Sequence, residues 1–355
     1  MMNRKFYFSF VAFALTLLAT VAFVIGNNPG TRAASTNAAL AALPASDFVI
    51  SIDAQRALNE TLPSLLASNP AFLAKMNAEL EKFEKETGIN PRSFESVAIG
   101  GRLTNARPHN SRAVVIARGS FNADALLENA LARVKAKGEK IQKEEQQYEG
   151  KRIILISHTR NMKDEVEAAD KANAATVSVD RRSDKMAIAV LDSNTLAVGD
   201  LESVRSAVDA SLGRNRVDDE LVQLATQTPN AVVGFSGRIP QSFAEKSSSK
   251  NSIEKYFASI RQFYGSFSAN GTDAETIVAV RTETAEQASD IGQALNTIKS
   301  LSAFGFSQSS GGNSAKKDSL ADVIKGLSIT TQGNEVQINV RIPQASLAPL
   351  MRTVR

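Results

Sequence analysis

The sequence predicts an α+β protein, with antiparallel sheets backed by helices and one hydrophobic helix ahead of them. Three observations lead there. From Asp47 onward, short runs rich in Val, Ile and Ala alternate with longer stretches whose apolar residues recur at helical spacing. The short runs mix polar and apolar positions, which suits antiparallel strands better than the near-continuous apolar strands of a doubly wound parallel sheet. The order of these elements then recurs in a second half.

The first segment is set apart by composition. Met1 to Lys5 is basic, and Phe6 to Gly26 is a run of 21 residues without a charge. As a helix it would extend about 31 Å, the thickness of a bilayer's hydrocarbon core. Arg4 and Lys5 precede it, so the positive-inside rule leaves everything beyond it outside the cytoplasm. The run exceeds the roughly 7–15 apolar residues of a cleaved signal, so residues 1–26 read as a single-pass anchor. Thr31 and Ala33 are small residues, and cleavage near Ala33 with a secreted or periplasmic product is the alternative. Residues 27–44, rich in Gly, Ala, Ser, Thr and Asn, read as a flexible tether.

Strand DFVISID opens the first half, 45–213. Two helical stretches follow, divided at Asn69-Pro70, where Asn69 can cap and Pro70 suits the first helical position. The second stretch carries Phe72, Leu73, Met76, Leu80 and Phe83 on one face and stops at Gly88. Strands SVAIGGRL and RAVVIAR come next, then a helix from about Asn122 to Lys137. Ile141–Tyr148 and Arg152–Ser157 read as a hairpin, as do MAIAVL and TLAVG, and a helix runs from Asp200 to Gly213. Residues 158–184 form a charged insert.

The second half, 214–355, repeats the grammar. Strand NAVVGFSG is followed by a helix near Ser252–Tyr264, strands GSFSAN and ETIVAVRT, and a helix opening on Thr284-x-x-Gln287, the reciprocal capping pattern. A Ser/Gly-rich loop at 307–317 leads to GLSITT and EVQINVRI, and Gln344–Thr353 reads as a last short helix. The order strand, helix, strand, strand, helix in both halves points to two diverged repeats. Each fits a ferredoxin-like β-α-β-β-α-β sandwich.

The segments LPASDFVISIDAQRAL, the TGINP turn, YEGKRIILI and LDSNTLAVGDLESVRSAVDA resemble a group of uncharacterised bacterial extracytoplasmic proteins, a domain of unknown function. These have an N-terminal membrane segment and repeated ferredoxin-like α+β domains. The likeness covers most of 43–213 and, more loosely, the second half. It implies location and fold, and it brings no catalytic motif.

Composition excludes several chemistries. The chain has 355 residues, no cysteine, no tryptophan and two histidines, so disulfides, thiolate metal sites and cysteine nucleophiles are out. Arg4, Lys5 and Arg32 lie in a first 34 residues without acids, leaving 38 bases against 37 acids beyond. No basic field therefore draws nucleic acid.

The candidate motifs are weak. His109 and His158 have no second ligand at metal spacing. Asp218-Asp219-Glu220 reads as the acidic start of a helix. Ser247–Lys250, Ser252–Lys255 and Ser314–Lys317 fit S-x-x-K without the partner motifs of that chemistry. Gly100-Gly101 reads as a strand bulge and Gly311-Gly312 as a linker, because neither belongs to a phosphate-binding fingerprint. Lys135–Glu145 alternates in charge as a solvated surface does, and Asn59 and Asn270 match glycan acceptors by chance-level motifs.

Tyr256, Phe257, Ile260, Phe263 and Tyr264 form one aromatic-rich stripe at helical spacing, either core or an apolar groove or partner surface. The expected role is therefore a non-enzymatic envelope protein that binds or scaffolds, anchored to the membrane through residues 6–26, without a cofactor or metal. An extracytoplasmic carrier or sensor of an apolar, lipid-like ligand is the alternative. An envelope hydrolase using Ser252 or His158 is a more distant one.

Overall fold

The structure, a computed structural model, describes residues 38–67, 69–103, 112–136, 141–158, 185–240, 258–270, 273–308, 314–343 and 346. The hydrophobic run at 6–26, the insert at 159–184 and nearly all of 344–355 lie outside them. Among the described residues no helix is long and apolar enough to cross a membrane.

Among the described residues the chain is α+β and is organised on one antiparallel sheet of twelve strands. In chain order the strands are β1 (Phe48–Asp53), β2 (Phe94–Arg102), β3 (Arg112–Gly119), β4 (Ile141–Tyr148), β5 (Lys151–His158), β6 (Met186–Asp192), β7 (Thr195–Gly199) and β8 (Val233–Arg238). There follow β9 (Ile260–Asn270), β10 (Asp273–Thr282), β11 (Leu327–Gln332) and β12 (Glu335–Pro343). Their spatial order is β11-β12-β10-β9-β8-β1-β2-β3-β7-β6-β5-β4. The halves meet at the antiparallel β1–β8 pair, where Ile50 faces Phe235 and Ile52 faces Val233. Outward from this joint the order reads β1-β2-β3-β7-β6 on one side and β8-β9-β10-β12-β11 on the other. The β4–β5 hairpin extends the first side alone.

This corrects the expected ferredoxin-like connectivity. A β-α-β unit with a crossover places its strands parallel, whereas β1 and β2 are antiparallel neighbours despite the helices between them. The halves share one continuous sheet rather than holding one sandwich each.

Helices cover both faces. One helical run, 54–66, joins α-helical Ala54–Arg56, a π-helical turn at Ala57–Thr61 and α-helical Leu62–Leu66 (together α1). The others are α2 (Pro70–Thr87), α3 (Ala123–Ala136), α4 (Leu201–Ser211), α5 (Asp219–Thr226), α6 (Ala285–Gln308) and α7 (Ser314–Lys325). On one face α1 and α2 bury Leu58, Leu62, Leu66 and Leu80 against Ile52, Val233 and Phe267. On the same face α3 packs Leu127 and Leu131 on Ile154, Ile188 and Val198, and α6 packs Ala288 and Ile291 on Val336. On the opposite face α4 and α5 set Val204, Val208 and Leu221 over Val49, Val114, Ile116, Ile153 and Ala197. Alternation along each strand sends neighbouring residues to opposite cores.

The expected tether is shorter than its composition suggested. Residues 38–41 form a helical turn, and Ala39, Leu40 and Leu43 are buried in the core beneath α4. Their apolar spacing outweighs the small-residue content. Residues 27–37 lie outside the described residues. The expected Ser/Gly-rich loop also narrows, since α6 runs to Gln308 and α7 starts at Ser314.

The helix expected near 252–264 is replaced from Ile260 by β9, which pairs with β8 on one side and β10 on the other. In Ile260 to Ala269 a period of two competes with the helical one. Gln262, Tyr264, Ser266 and Ser268 alternate against Phe263, Gly265, Phe267 and Ala269. Gly265 is required within that strand, because a Cβ there would lie 2.2 Å from the Ile277 carbonyl oxygen and 2.4 Å from the Phe235 ring. Two hydrogen-bonded flanks decide for the strand.

Candidate functional site

On the face carrying α4 and α5, the loop end of β2 and β3 opens into a cleft of about 310 Å³. Its floor is Gly100, Gly101 and Val114. Register is continuous there, with Gly100 opposite Val114 and Gly101 opposite Ala113, so the expected bulge is absent. The glycines serve close approach. A Cβ on Gly100 would lie 2.7 Å from Ser46 Oγ, and one on Gly101 would lie 2.6 Å from the Arg112 carbonyl oxygen. The bare Gly100 lets Pro44, Ala45 and Ser46 run beside β2 as one wall. The wall is pinned where Ala45 N–H donates to the Asn215 carbonyl (2.8 Å), Val217 N–H to that of Leu43 (3.0 Å) and Asp47 N–H to that of Gly101 (2.8 Å).

The other wall is α4. Asp200 caps it, accepting from Ser203 N–H at 3.0 Å and from Ser203 Oγ at 2.6 Å. With Val204, Ala207 and Val208 turned to the sheet, Glu202, Ser203, Ser206 and Asp209 form the adjoining stripe and line the cleft. Ser206 Oγ donates to the Glu202 carbonyl at 2.9 Å. Asp209 accepts from Tyr148 Oη at 3.1 Å and from Arg214 at 2.6 Å. The hydrogen bond to Asp209, helped by desolvation and by the Asp209 charge, pushes the Tyr148 phenol above its ordinary pKa.

Two arginines stand at the rim. Arg102 ends β2, Arg112 begins β3, and the register sets them directly opposite one another. Both lie on the α4 face, two residues from Gly100 and Val114. Arg112 is paired with Glu202. Arg102 Nε donates to the Ala45 carbonyl at 3.3 Å, and its guanidinium has no ion-pair partner among the described residues.

The residues singled out from sequence do not assemble into one groove. Tyr264 is buried under α5 with Leu224 and Ala279, and the Arg281 guanidinium sits 5.2 Å from its ring centroid. Burial, then a hydrogen bond to Glu335, pushes its phenol upward. Phe263 lies on the opposite face, with its ring centroid 6.5 Å from that of Phe235. Ile260 packs with α6. Tyr256 and Phe257 lie outside the described residues.

The acidic cluster is structural. Asp218 caps α5, and Arg238 binds Asp218 at 2.8 Å and also binds Glu220. Hydrogen bonds from Arg238 hold both carboxyls below their ordinary pKa. A polar line continues across this face: Gln262 donates to Glu220 (3.2 Å), and Arg281 donates to Gln262 (2.9 Å) and to Glu335 (2.8 Å).

His109, Ser247–Lys250, Ser252–Lys255 and Gly311-Gly312 lie outside the described residues, while His158 ends β5. Among the described residues no group of three or more His, Asp or Glu side chains is placed to hold a metal ion.

Sequence reasoning missed the arginine pair. Its only signal is that SVAIGGRL and SRAVVIAR each place an arginine at the loop end of a strand. Only the register sets the two opposite.

No protein-family model matches this chain, and no curated protein matches it either. Among solved structures, crystal form III of TP0453 is similar with 9% identity and a TM-score of 0.43, covering 89% of this chain and 98% of that one. Crystal form I of TP0453, at 9% identity and a TM-score of 0.40, covers 88% of this chain and 96% of that one.

Proposed function

We propose that this chain is a non-enzymatic binding protein of the cell envelope, held to the membrane by residues 6–26 and exposing a duplicated α+β module outside the cytoplasm. The observation that carries this reading is the cleft between α4 and the β2–β3 end, whose outer wall is the stretch 44–46 that follows the anchor and tether. Only residues 27–37 separate the hydrophobic run from the first described turn. Fully extended, eleven residues reach about 40 Å at most, so the cleft works close to the bilayer.

The same outward strand order on either side of the β1–β8 joint supports duplication. The cleft's serines support binding rather than catalysis. Ser206 donates to a carbonyl of its own helix, which is no base, and the carboxylate that takes the Ser203 proton, Asp200, is committed as the N-cap of α4.

Fractionation of the native host with intact mass measurement tests the location. The expected result is membrane-bound protein whose mass retains Met1 to Ala33. A chain beginning near Ala34 would replace anchoring by release, and recovery in the soluble cytoplasm would overturn the envelope assignment.

A further inference from the structure

We infer that the cleft is a site for a small polar molecule carrying an oxyanion, a carboxylate or a phosphate, held between Arg102 and Arg112. Glu202 occupies Arg112 until that group arrives. This rests on the binding reading given above and names the chemistry of the ligand.

The argument starts from register. Arg102 and Arg112 are a directly opposed cross-strand pair on the face that lines the cleft. Like charges in that position repel. Among the described residues Glu202 is the one carboxylate that pairs with either guanidinium, and it pairs only with Arg112. The side chains of Arg112 and Glu202 are 54% and 68% exposed. An ion pair that exposed contributes little, so exchanging Glu202 for a ligand oxyanion costs little. The guanidinium fork matches carboxylate and phosphate oxygens two at a time, which a point charge does not.

The walls set the rest of the ligand. Ser203 and Ser206 have their hydroxyl protons engaged on Asp200 and the Glu202 carbonyl. Each therefore keeps acceptor capacity on a helix face that lines the cleft, where Asp209 adds a carboxylate. These acceptors suit hydroxyl or amine donors on the same molecule. A space of about 310 Å³ fits a small ligand rather than a chain segment. The oxyanion has two sources, a free small molecule or the phosphodiester headgroup of a lipid.

Isothermal titration of the full-length protein in neutral detergent micelles tests this, with inorganic phosphate, glutarate, glycerophosphoglycerol and uncharged N-acetylglucosamine as probes. Binding of at least one anion is expected. Arg102→Gln weakens it by about tenfold, the scale of one lost charge-assisted bond. Glu202→Gln tightens it by a few-fold, and neither variant shifts the melting temperature appreciably. Tightest binding by glycerophosphoglycerol assigns the headgroup, and by phosphate or glutarate the free molecule. Anion binding untouched by Arg102→Gln, or weakened by Glu202→Gln, overturns the inference. Heat from the neutral sugar alone also overturns it while leaving the cleft a binding site. Silence from all four probes removes both.

Discussion

Gly234 shows how tightly single residues hold this fold. It lies on β8 under α5, where an added Cβ would lie 1.7 Å from the Ala225 carbonyl oxygen. Backbone must move to admit it, so Gly234→Ala should destabilise by at least the ~1–3 kcal/mol typical of overpacking. Urea unfolding measures this, and a variant as stable as the parent would mean that α5 does not rest on β8.

Tyr264 makes a second prediction at this scale. Its phenol is raised above the ordinary value of 10.0 by burial and the Glu335 bond. A raised pKa contributes stability fully present below the unfolded value and lost as pH rises through the folded one. Stability should therefore fall above about pH 10, and Tyr264→Phe should flatten that alkaline limb. The signs reverse at Arg238. Asp218 and Glu220 are held below 3.8 and 4.5, so their contribution is present above those values and lost as pH falls through the lowered ones. The three side chains are 43–49% exposed. Solvent screening then limits the loss in Arg238→Gln to about 0.5–1 kcal/mol at neutral pH, with a shallower acid limb below about pH 4.5.

At the scale of elements, local chemistry and period decide most outcomes. Asn69 caps α2 by accepting from Phe72 N–H, and Gly88 ends that helix at φ 76°. Thr284 and Gln287 exchange both bonds of the capping pattern at 3.2 Å each. These signals act within a few residues, so the chain alone displays them. Thr284→Ala should cost about 1 kcal/mol, read as a lowered melting temperature.

The aromatic run at 260–264 went the other way, because five residues satisfy a helical stripe and a strand alternation equally well. The partners β8 and β10 lie outside the run itself, and β8 is remote in sequence. α5 is a test of element packing. Leu221 is fully buried between it and the sheet, so Leu221→Ala should cost about 2–5 kcal/mol. A loss below 1 kcal/mol in the unfolding curve would show that this helix contributes little to the core.

At the scale of the molecule, the joint between the halves is a core and not a linker. β1 pairs with β8 over five residues of each strand, and α5 contacts β8, β1 and β9 together. Val217, Leu221 and Ala225 follow the expected boundary at 213–214, yet they belong to the first half's principal core. The two halves should therefore unfold in one transition. Tyrosine absorbance and far-ultraviolet circular dichroism should coincide along a denaturant curve, and two separated midpoints would show independent halves.

The sequence by itself determined the class of this protein, most strand and hairpin positions and the helix caps. These follow from periodicity and short-range hydrogen bonding, which a linear chain carries in full. Tertiary structure decided what depends on pairing between distant segments: the single sheet that joins the twelve strands of the described residues, the strand at Ile260–Tyr264, and the burial of Leu40 and Leu43. It also decided the meeting of Arg102 with Arg112 over a glycine floor. That pair was illegible beforehand because strand register fixes which side chains share a face, and register is set only when the whole sheet assembles.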